Sequence, residues 1–382
     1  MATTYLASKP RYEILDGLRG VAAMIVVCFH LFETYSKGPV FQILNHGYLA
    51  VDFFFVLSGF VIGYAYDDRW DKMTLGGFIK RRLVRLHPMV IMGTFIGALL
   101  FYFGANNDFP LIGQTPWWVV ILMMFLGFTM LPATVKMDIR GWGETNPLNG
   151  PAWSLQWEYL ANLLYAIVIR HFSKTMLAIF LVFAAFLTLN LTFNWDVFHV
   201  FEPRSYAAYT VIGGWSLTPD QLCIGATRLL YPFFAGLMIS RVNRLIKVKG
   251  GFWWCSLLVV VLLVMPRIGG MTQMWMNGLY ESVTIIVLFP LIVSMGAGSS
   301  VTGRSVPVCK FLGEISYPLY ITHYPLIYAQ MAWARHHPDA SLGMTIFVCA
   351  SVFVMAIAIA YASLKLYDLP VRAWLKKNWL MK

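Results

Sequence analysis

Eleven long apolar stretches, at about 14–34, 47–66, 88–104, 117–131, 155–169, 175–192, 221–240, 252–266, 280–297, 311–331 and 343–366, constrain this chain more than anything else in it. They are much longer than the roughly 10-residue strands of a membrane barrel, and many approach the roughly 20 residues of a spanning helix. Composition points the same way. Apolar residues make up 59% and charged residues 12%, where soluble domains have about 45–50% and about 25%. The expected fold class is all-α, a polytopic integral membrane protein. Secreted, cytosolic, disordered and fibrous classes are excluded.

The 29 Lys+Arg against 18 Asp+Glu give a net charge of +11. In a soluble domain that excess would suggest nucleic acid. Here the basic residues sit beside apolar segments, which points to topology and anionic headgroups, with the bilayer as partner and no nucleic acid. The positive-inside rule puts Lys9/Arg11, Lys80–Arg82 with Arg85, Arg241/Arg244/Lys247/Lys249 and Arg372/Lys376/Lys377 in the cytoplasm. Two cytoplasmic termini demand an even number of crossings. The expectation is therefore about ten transmembrane helices plus one re-entrant or half-spanning segment between 88 and 192. Segment 155–169, which carries Glu158 and Asn162, is the first choice, and 117–131 the second.

The polar leader 1–13 has no apolar run or cleavage site, so the first helix is expected to remain. No fixed-period repeat is visible, and 1–382 reads as a single membrane domain with no additional soluble domain. The five cysteines (Cys28, Cys223, Cys255, Cys309, Cys349) are odd in number and widely spaced. They support neither a disulfide framework nor a metal site.

Five polar stations interrupt this apolar inventory. In LDGLRGVAAMIVVCFHLFE, Arg19 and His30 are eleven residues apart, which is about 20° past three turns. They share a helix face, about 16 Å apart along the axis, with Asp16 on the same stripe. Ionisable groups inside a span usually face an interior pathway. The plain structural alternative is that Arg19 snorkels to headgroups and His30 bonds a neighbouring helix.

In GYLAVDFFFVLSGF, Asp52 falls at a depth similar to His30 if the first two helices are antiparallel, where a carboxylate can orient the imidazole. Equally, it can be a headgroup-level helix terminus. In FIKRRLVRLHP, Arg82 and Arg85 share one face at a cytoplasmic helix entrance, suited to phosphate or simply to flanking a span. GPAWSLQWEYLANLLY supplies Glu158 as base, clamp or neutral structural acid. LGEISYPLYITHYP places Ser316, Tyr320 and His323 on one face, for chemistry or for packing.

Together these stations suggest one arrangement. Arg82 and Arg85, with Arg19, would hold the phosphates of a nucleotide thioester, and an extended pantetheine arm would bring the thioester to His30. An acceptor hydroxyl would enter from the other face. A base and oxyanion donors suffice for such a transfer without metal.

The order LDGLRG…H, GYLAVDFFFVLSGF, RRLVRLHP, PAWSLQWEY and LGEISYPLYITHYP resembles the acyltransferase-3 family of membrane O-acyltransferases, over about 12–368. The resemblance implies a mostly bacterial, roughly ten-helix enzyme of the cell membrane. Such an enzyme moves an acyl group, usually acetyl, from acyl-CoA to a hydroxyl of a cell-envelope or exported carbohydrate, a lipid or a small metabolite. It implies Arg19 and His30 as the essential pair and Arg82 and Arg85 as donor-binding. Asp52, Glu158, Tyr317 and His323 fall on further motif positions.

No tightly bound cofactor is implied. Acyl-CoA, expected to be acetyl-CoA, is the donor substrate. Trp157, His87 and Asp368 depart from the family pattern, and Trp157 bears on the acceptor side. Some members carry a fused extracytoplasmic hydrolase-like domain; without one, this chain is expected to finish the transfer itself or to pass the acyl group to a separate partner protein.

The catalytic set expected is His30, as general base or transient acyl carrier, with Asp52 and Glu158. A transporter or flippase for a glycolipid or small metabolite would use the same buried polar residues as a pathway, but shows no internal repeat here. A non-catalytic scaffold explains the polar stripe poorly. Trp142, Trp153, Trp195 and Trp215 in the two long loops suit sugar stacking and interfacial anchoring equally.

Overall fold

Helices form along the apolar runs, and no strand occurs, among residues 9–36, 41–201 and 204–380, which the computed structural model describes. Residues 1–8 of the polar leader lie outside the described residues. The chain runs through α1 (Glu13–Glu33), a 3-10 turn Asn45–Leu49, α2 (Ala50–Tyr66) and α3 (Leu75–Leu99). Then come α4 (Pro110–Gln114), α5 (Trp117–Thr129), α6 (Trp153–Ile167), α7 (Lys174–Thr192) and α8 (Pro219–Val242). The last part holds α9 (Gly251–Val264), α10 (Trp275–Val283), α11 (Phe289–Gly298), α12 (Ser305–Thr322), α13 (Tyr324–His336), α14 (Leu342–Ser363) and α15 (Leu369–Leu375).

Hydroxyl caps start several of these helices: Thr74, Ser173 and Ser341 each accept a backbone N–H from three residues on. Among the described residues, seven helical stretches are long and apolar enough to cross a membrane by length and composition. Few residues of α14 and its extension to Leu380 are buried, as in a lipid-facing element, whereas α1 and α2 are mostly buried.

The basic clusters gather at one end of the bundle. Lys9 Nζ lies 2.8 Å from Asp68, Arg241 Nε lies 2.8 Å from Asp67, and Arg241 Nη1 donates to the Phe172 carbonyl at 2.9 Å. Lys80 sits over the Trp379 ring at 5.5 Å. The opposite end is tied by His46 Nδ1 on the Met265 carbonyl at 2.7 Å and by Arg335 on Asp108 at 2.6 Å.

Between 88 and 192 two helices fall short of a core about 30 Å thick: α5 with 13 residues, about 20 Å, and α6 with 15, about 22 Å. Met130 ends α5 in the left-handed conformation at φ 60°, and Gly127 in its last turn lies beside Thr94 of α3. Helix α6 runs on through Ile169–His171 to the basic end, where Arg241 donates to the carbonyls of Ile169 and Arg170.

Small residues let the central helices touch. A Cβ on Gly20 of α1 would stand 2.4 Å from the Leu312 carbonyl of α12. One on Gly59 of α2 would stand 1.7 Å from the Phe233 carbonyl of α8. With little hydrophobic drive between helices in lipid, such close backbone contact supplies the association.

At two of the prolines that interrupt helices, the freed carbonyl has a partner. Pro290 follows a π-turn at Thr284–Leu288, and the Tyr231 hydroxyl donates to Ile286 O at 2.9 Å. Pro325 separates α13 from α12, and Asn149 Nδ2 donates to Ile321 O at 2.8 Å. That second break sets His323 at a bend, with the 131–152 loop docked on it.

Candidate functional site

Helix α1 carries two separate polar stations, as its periodicity predicts. At the basic end, Arg19 Nη1 lies 3.3 Å from Asp16, and the charges of Arg82, Arg85 and Glu158 act on it. Arg82 of α3 is buried and pairs with Glu158 of α6 at 2.8 Å, while Ser58 of α2 donates to the same carboxylate at 3.1 Å. The Nε of Arg82 is buried without a partner among the described residues. Arg85, one turn further along α3, is exposed. The result is a cluster of three guanidiniums with one carboxylate holding the most buried of them.

The second station, eleven residues along α1, is built around His30. Its Nδ1 stands 2.7 Å from Glu33 Oε2. A carboxylate only accepts, so Nδ1 carries the proton and Nε2 is left as a lone pair. Both side chains are about one-fifth exposed, which leaves the pair reachable. The Tyr324 ring stands edge-on to His30 at 4.6 Å, and the His323 ring stacks on it at 5.6 Å.

Behind Tyr324 lies Tyr328, whose hydroxyl donates to Glu144 Oε2 at 2.8 Å and whose ring face carries Arg140 at 3.4 Å. Arg140 also donates through Nε to the Pro147 carbonyl at 3.0 Å. Burial pushes the Glu144 carboxyl up to about 7, although Arg140 and the Tyr328 hydroxyl oppose the rise.

The expected set of residues is therefore split. Arg19, Asp16, Arg82, Arg85 and Glu158 meet at the basic end, so Glu158 serves Arg82 and not His30. Asp52 does not orient His30 either. It is fully buried against Arg228 of α8, at 2.7 Å from Nη2 and 3.3 Å from Nε. Arg228 also donates to the carbonyls of Tyr48 and Gly213 and lies 5.2 Å from the Trp153 ring. A buried cation needs that many partners.

Ser316 donates to its own helix at Gly313 O, and Tyr317 pins α12 to α3 through Leu86 O at 2.6 Å. Tyr320 pairs with Ser154 at 2.8 Å. Of that motif, His323 and Tyr324 stand against His30.

Sequence reasoning missed Glu33, Arg140, Glu144, Ser58 and Arg228. Glu33 lies three residues after His30 and so on its face. Arg228 is a charge inside an apolar segment, which by itself demands a partner. For Arg140 and Glu144, in a loop of irregular backbone, the sequence carries no such signal.

Comparison with known proteins bears on what this arrangement does. Residues 12–363 match the acyltransferase-3 family, described as "Acyltransferase domain". The chain is 24% identical over 367 residues to "Acyltransferase MdmB" of Streptomyces mycarofaciens, covering 91% of this chain and 88% of that one. It is 25% identical over 333 residues to "O-acetyltransferase OatA" of Staphylococcus aureus, covering 84% of this chain and 51% of OatA. The chain thus spans about half the length of OatA. It is also 32% identical over 164 residues to "Protein 2 in picA locus" of Rhizobium radiobacter, covering 41% of this chain and 81% of that one. No solved structure matches.

Proposed function

The chain belongs to the acyltransferase-3 family, and from that premise we propose that this multi-pass membrane acyltransferase moves an acyl group, acetyl in the first instance, from acyl-CoA to a hydroxyl of a cell-envelope or exported carbohydrate. The observation that carries the reading is α1 itself. One rigid helix presents a guanidinium cluster at one end and a carboxylate-paired imidazole about 16 Å along the same face.

The nucleotide phosphates of acyl-CoA bind Arg19, Arg82 and Arg85, where guanidinium geometry suits phosphate oxygens. The pantetheine arm then runs along α1 and delivers the thioester to His30. His30 Nε2 takes the proton of the acceptor hydroxyl as its oxygen attacks the thioester carbonyl. The C–S bond breaks, and the leaving thiolate takes up the proton to give free CoA. Glu33 holds the ring in the tautomer that leaves Nε2 basic and stabilises the imidazolium as it forms. Glu158 acts as a clamp on Arg82. His30 is a base in this scheme and not an acyl carrier.

The basic end faces the cytoplasm of a bacterial cell membrane, with both termini there. Ten crossings result, from α1, α2, α3, α6, α7, α8, α9, α10–α11, α12–α13 and α14–α15, with α5 half-spanning from the outer side. The described chain, 12–363 at its heart, acts as one membrane domain. The acetyl group and the oxygen acceptor draw on the name O-acetyltransferase OatA, and the carbohydrate on the aromatic lining near His30.

The test is acyl-CoA consumption by purified protein in nanodiscs, with mixed envelope glycans as acceptor. Wild type should release CoA and form acylated glycan. His30→Ala should lose roughly 10²–10⁴-fold in rate while melting normally. Equal consumption by both would refute the role of His30. An acylated His30 peptide trapped without acceptor would refute direct transfer.

A further inference from the structure

His323 lies outside the proton-transfer scheme above, yet it stacks on His30 and its hydrogen bonding is incomplete. It is wholly buried at the bend between α12 and α13. Its Nδ1 stands 3.1 Å from Leu319 O and 2.9 Å from Tyr320 O. Both partners are carbonyls, which only accept, so Nδ1 carries the ring's proton. No carboxylate bonds the ring, and a fully buried imidazole without one stays neutral. Nε2 is therefore a lone pair, and it has no partner among the described residues. A buried acceptor left unpaired costs free energy that an incoming donor recovers.

The last turn of α12 fixes this tautomer, because Leu319 and Tyr320 lie four and three residues before His323 and put their carbonyls within reach of its Nδ1. The His30 ring stacks on the His323 ring, and Tyr324 stands edge-on to both, at 4.6 and 5.8 Å. His30 is about one-fifth exposed whereas His323 is wholly buried, so the reachable side of this pair is where substrate meets His30. A substrate there already gives one hydroxyl proton to His30, so what satisfies His323 is a second hydroxyl on the same molecule. Hydroxyls on adjacent carbons lie about one hydrogen-bond length apart. Two N···O contacts of about 2.8 Å joined through such a pair readily bridge rings 5.6 Å apart.

We propose that His323 is a specificity-determining residue that binds the neighbouring hydroxyl of a vicinal diol, so that the acceptor is a polyol presenting two adjacent hydroxyls and not an isolated alcohol. The proposal rests on the acyltransferase reading above and adds the acceptor's local structure to it. It assigns His323 a hydrogen bond to substrate and no step in bond making.

The test uses small soluble acceptors, 1,2-propanediol and 1-propanol, with acetyl-CoA and purified protein in nanodiscs. Ester formation and CoA release are both followed. Wild type should favour the diol in kcat/KM by at least about tenfold, the order of one buried hydrogen bond lost with its partner left unpaired. In His323→Phe, which fills the site without an acceptor atom, that ratio should collapse to about one. His323→Gln, whose amide oxygen can stand in for Nε2, should restore it in part.

Equal use of the two alcohols by wild type would overturn the proposal while the acyltransferase reading stands. So would a His323→Phe variant that lowers both alike and keeps the ratio, because the ring would then be packing. Absence of CoA release with either alcohol and with glycan acceptors would overturn the donor and His30 assignments as well.

Discussion

Replacing Asp52 separates the two roles that a carboxylate at this depth can have. The side chain is fully buried, and both its oxygens are bound by Arg228, at 2.7 and 3.3 Å. Asp52→Asn keeps the shape and one acceptor oxygen but leaves a buried guanidinium without a counter-charge, its other partners being two backbone carbonyls and the Trp153 ring. Breaking one side of a buried pair costs about 3–5 kcal/mol. Unfolding entropy of about 2.1 cal/mol/K per residue over 382 residues gives about 0.8 kcal/mol/K, so the melting midpoint should fall by about 4–6 °C. The double variant Asp52→Leu with Arg228→Met removes both charges and should recover most of the loss. The assay is tryptophan-fluorescence melting in detergent, with CoA release measured below the transition on protein that remains folded. There, specific activity of Asp52→Asn should stay within about threefold of wild type, since no contact joins the pair to His30. The reasoning would be refuted by a variant that melts like wild type yet loses activity about 100-fold, because Asp52 would then be acting at the imidazole.

Three further outcomes follow from the site. Glu33→Gln keeps a hydrogen-bond acceptor but removes the charge that stabilises a forming imidazolium, and should lower kcat about 10²-fold with acyl-CoA binding unchanged; a rise in donor Kd would place Glu33 on the donor side instead. Arg85→Ala removes an exposed guanidinium from the donor end and should raise the KM for acyl-CoA about tenfold at low salt, less at high salt, with kcat nearly constant; a salt-independent change would contradict phosphate contact. Glu144 holds its proton more tightly folded, at about 7, than unfolded, near the ordinary 4.5. Stability from that group is thus present at pH 4.5 and lost as pH rises through 7, by up to about 3 kcal/mol. Melting of wild type should fall relative to Glu144→Gln between pH 5 and pH 8, and parallel curves would reject the assignment.

Periodicity alone was enough to find the helices, the basic end of the bundle and the Arg19–His30 face, because a spanning helix must satisfy its own backbone and so follows its residue spacing faithfully. Partner choice between helices was less legible. Asp52 and His30 share a depth, but depth does not fix azimuth, and the carboxylate faces α8, where Arg228 waits. The sequence showed that cation inside an apolar segment, and its need for an anion was readable had the two been matched. Glu33 stands at the helix end, and its i, i+3 spacing already places it beside His30. Where α5 ends turned on polar residues elsewhere. Gln156 donates to Met130 O at 3.2 Å, and the loop that follows bonds the α12–α13 break through Asn149. Such contacts are long-range and leave no local pattern.

Helix α1 is one unbroken rod of 21 residues, packed through Gly20 against the Leu312 carbonyl of α12. Its two stations are therefore related by residue count. One residue inserted between Arg19 and His30 would turn the imidazole about 100° away from Glu158's side of the helix and move it about 1.5 Å, and one deletion would do the reverse. Nothing downstream can compensate, since both groups ride on the same rod. Substitutions among residues 21–29 are a matter of fit, but their number is a matter of register. Length variation in this chain should accumulate in the loops at the far end and stop at that interval of α1.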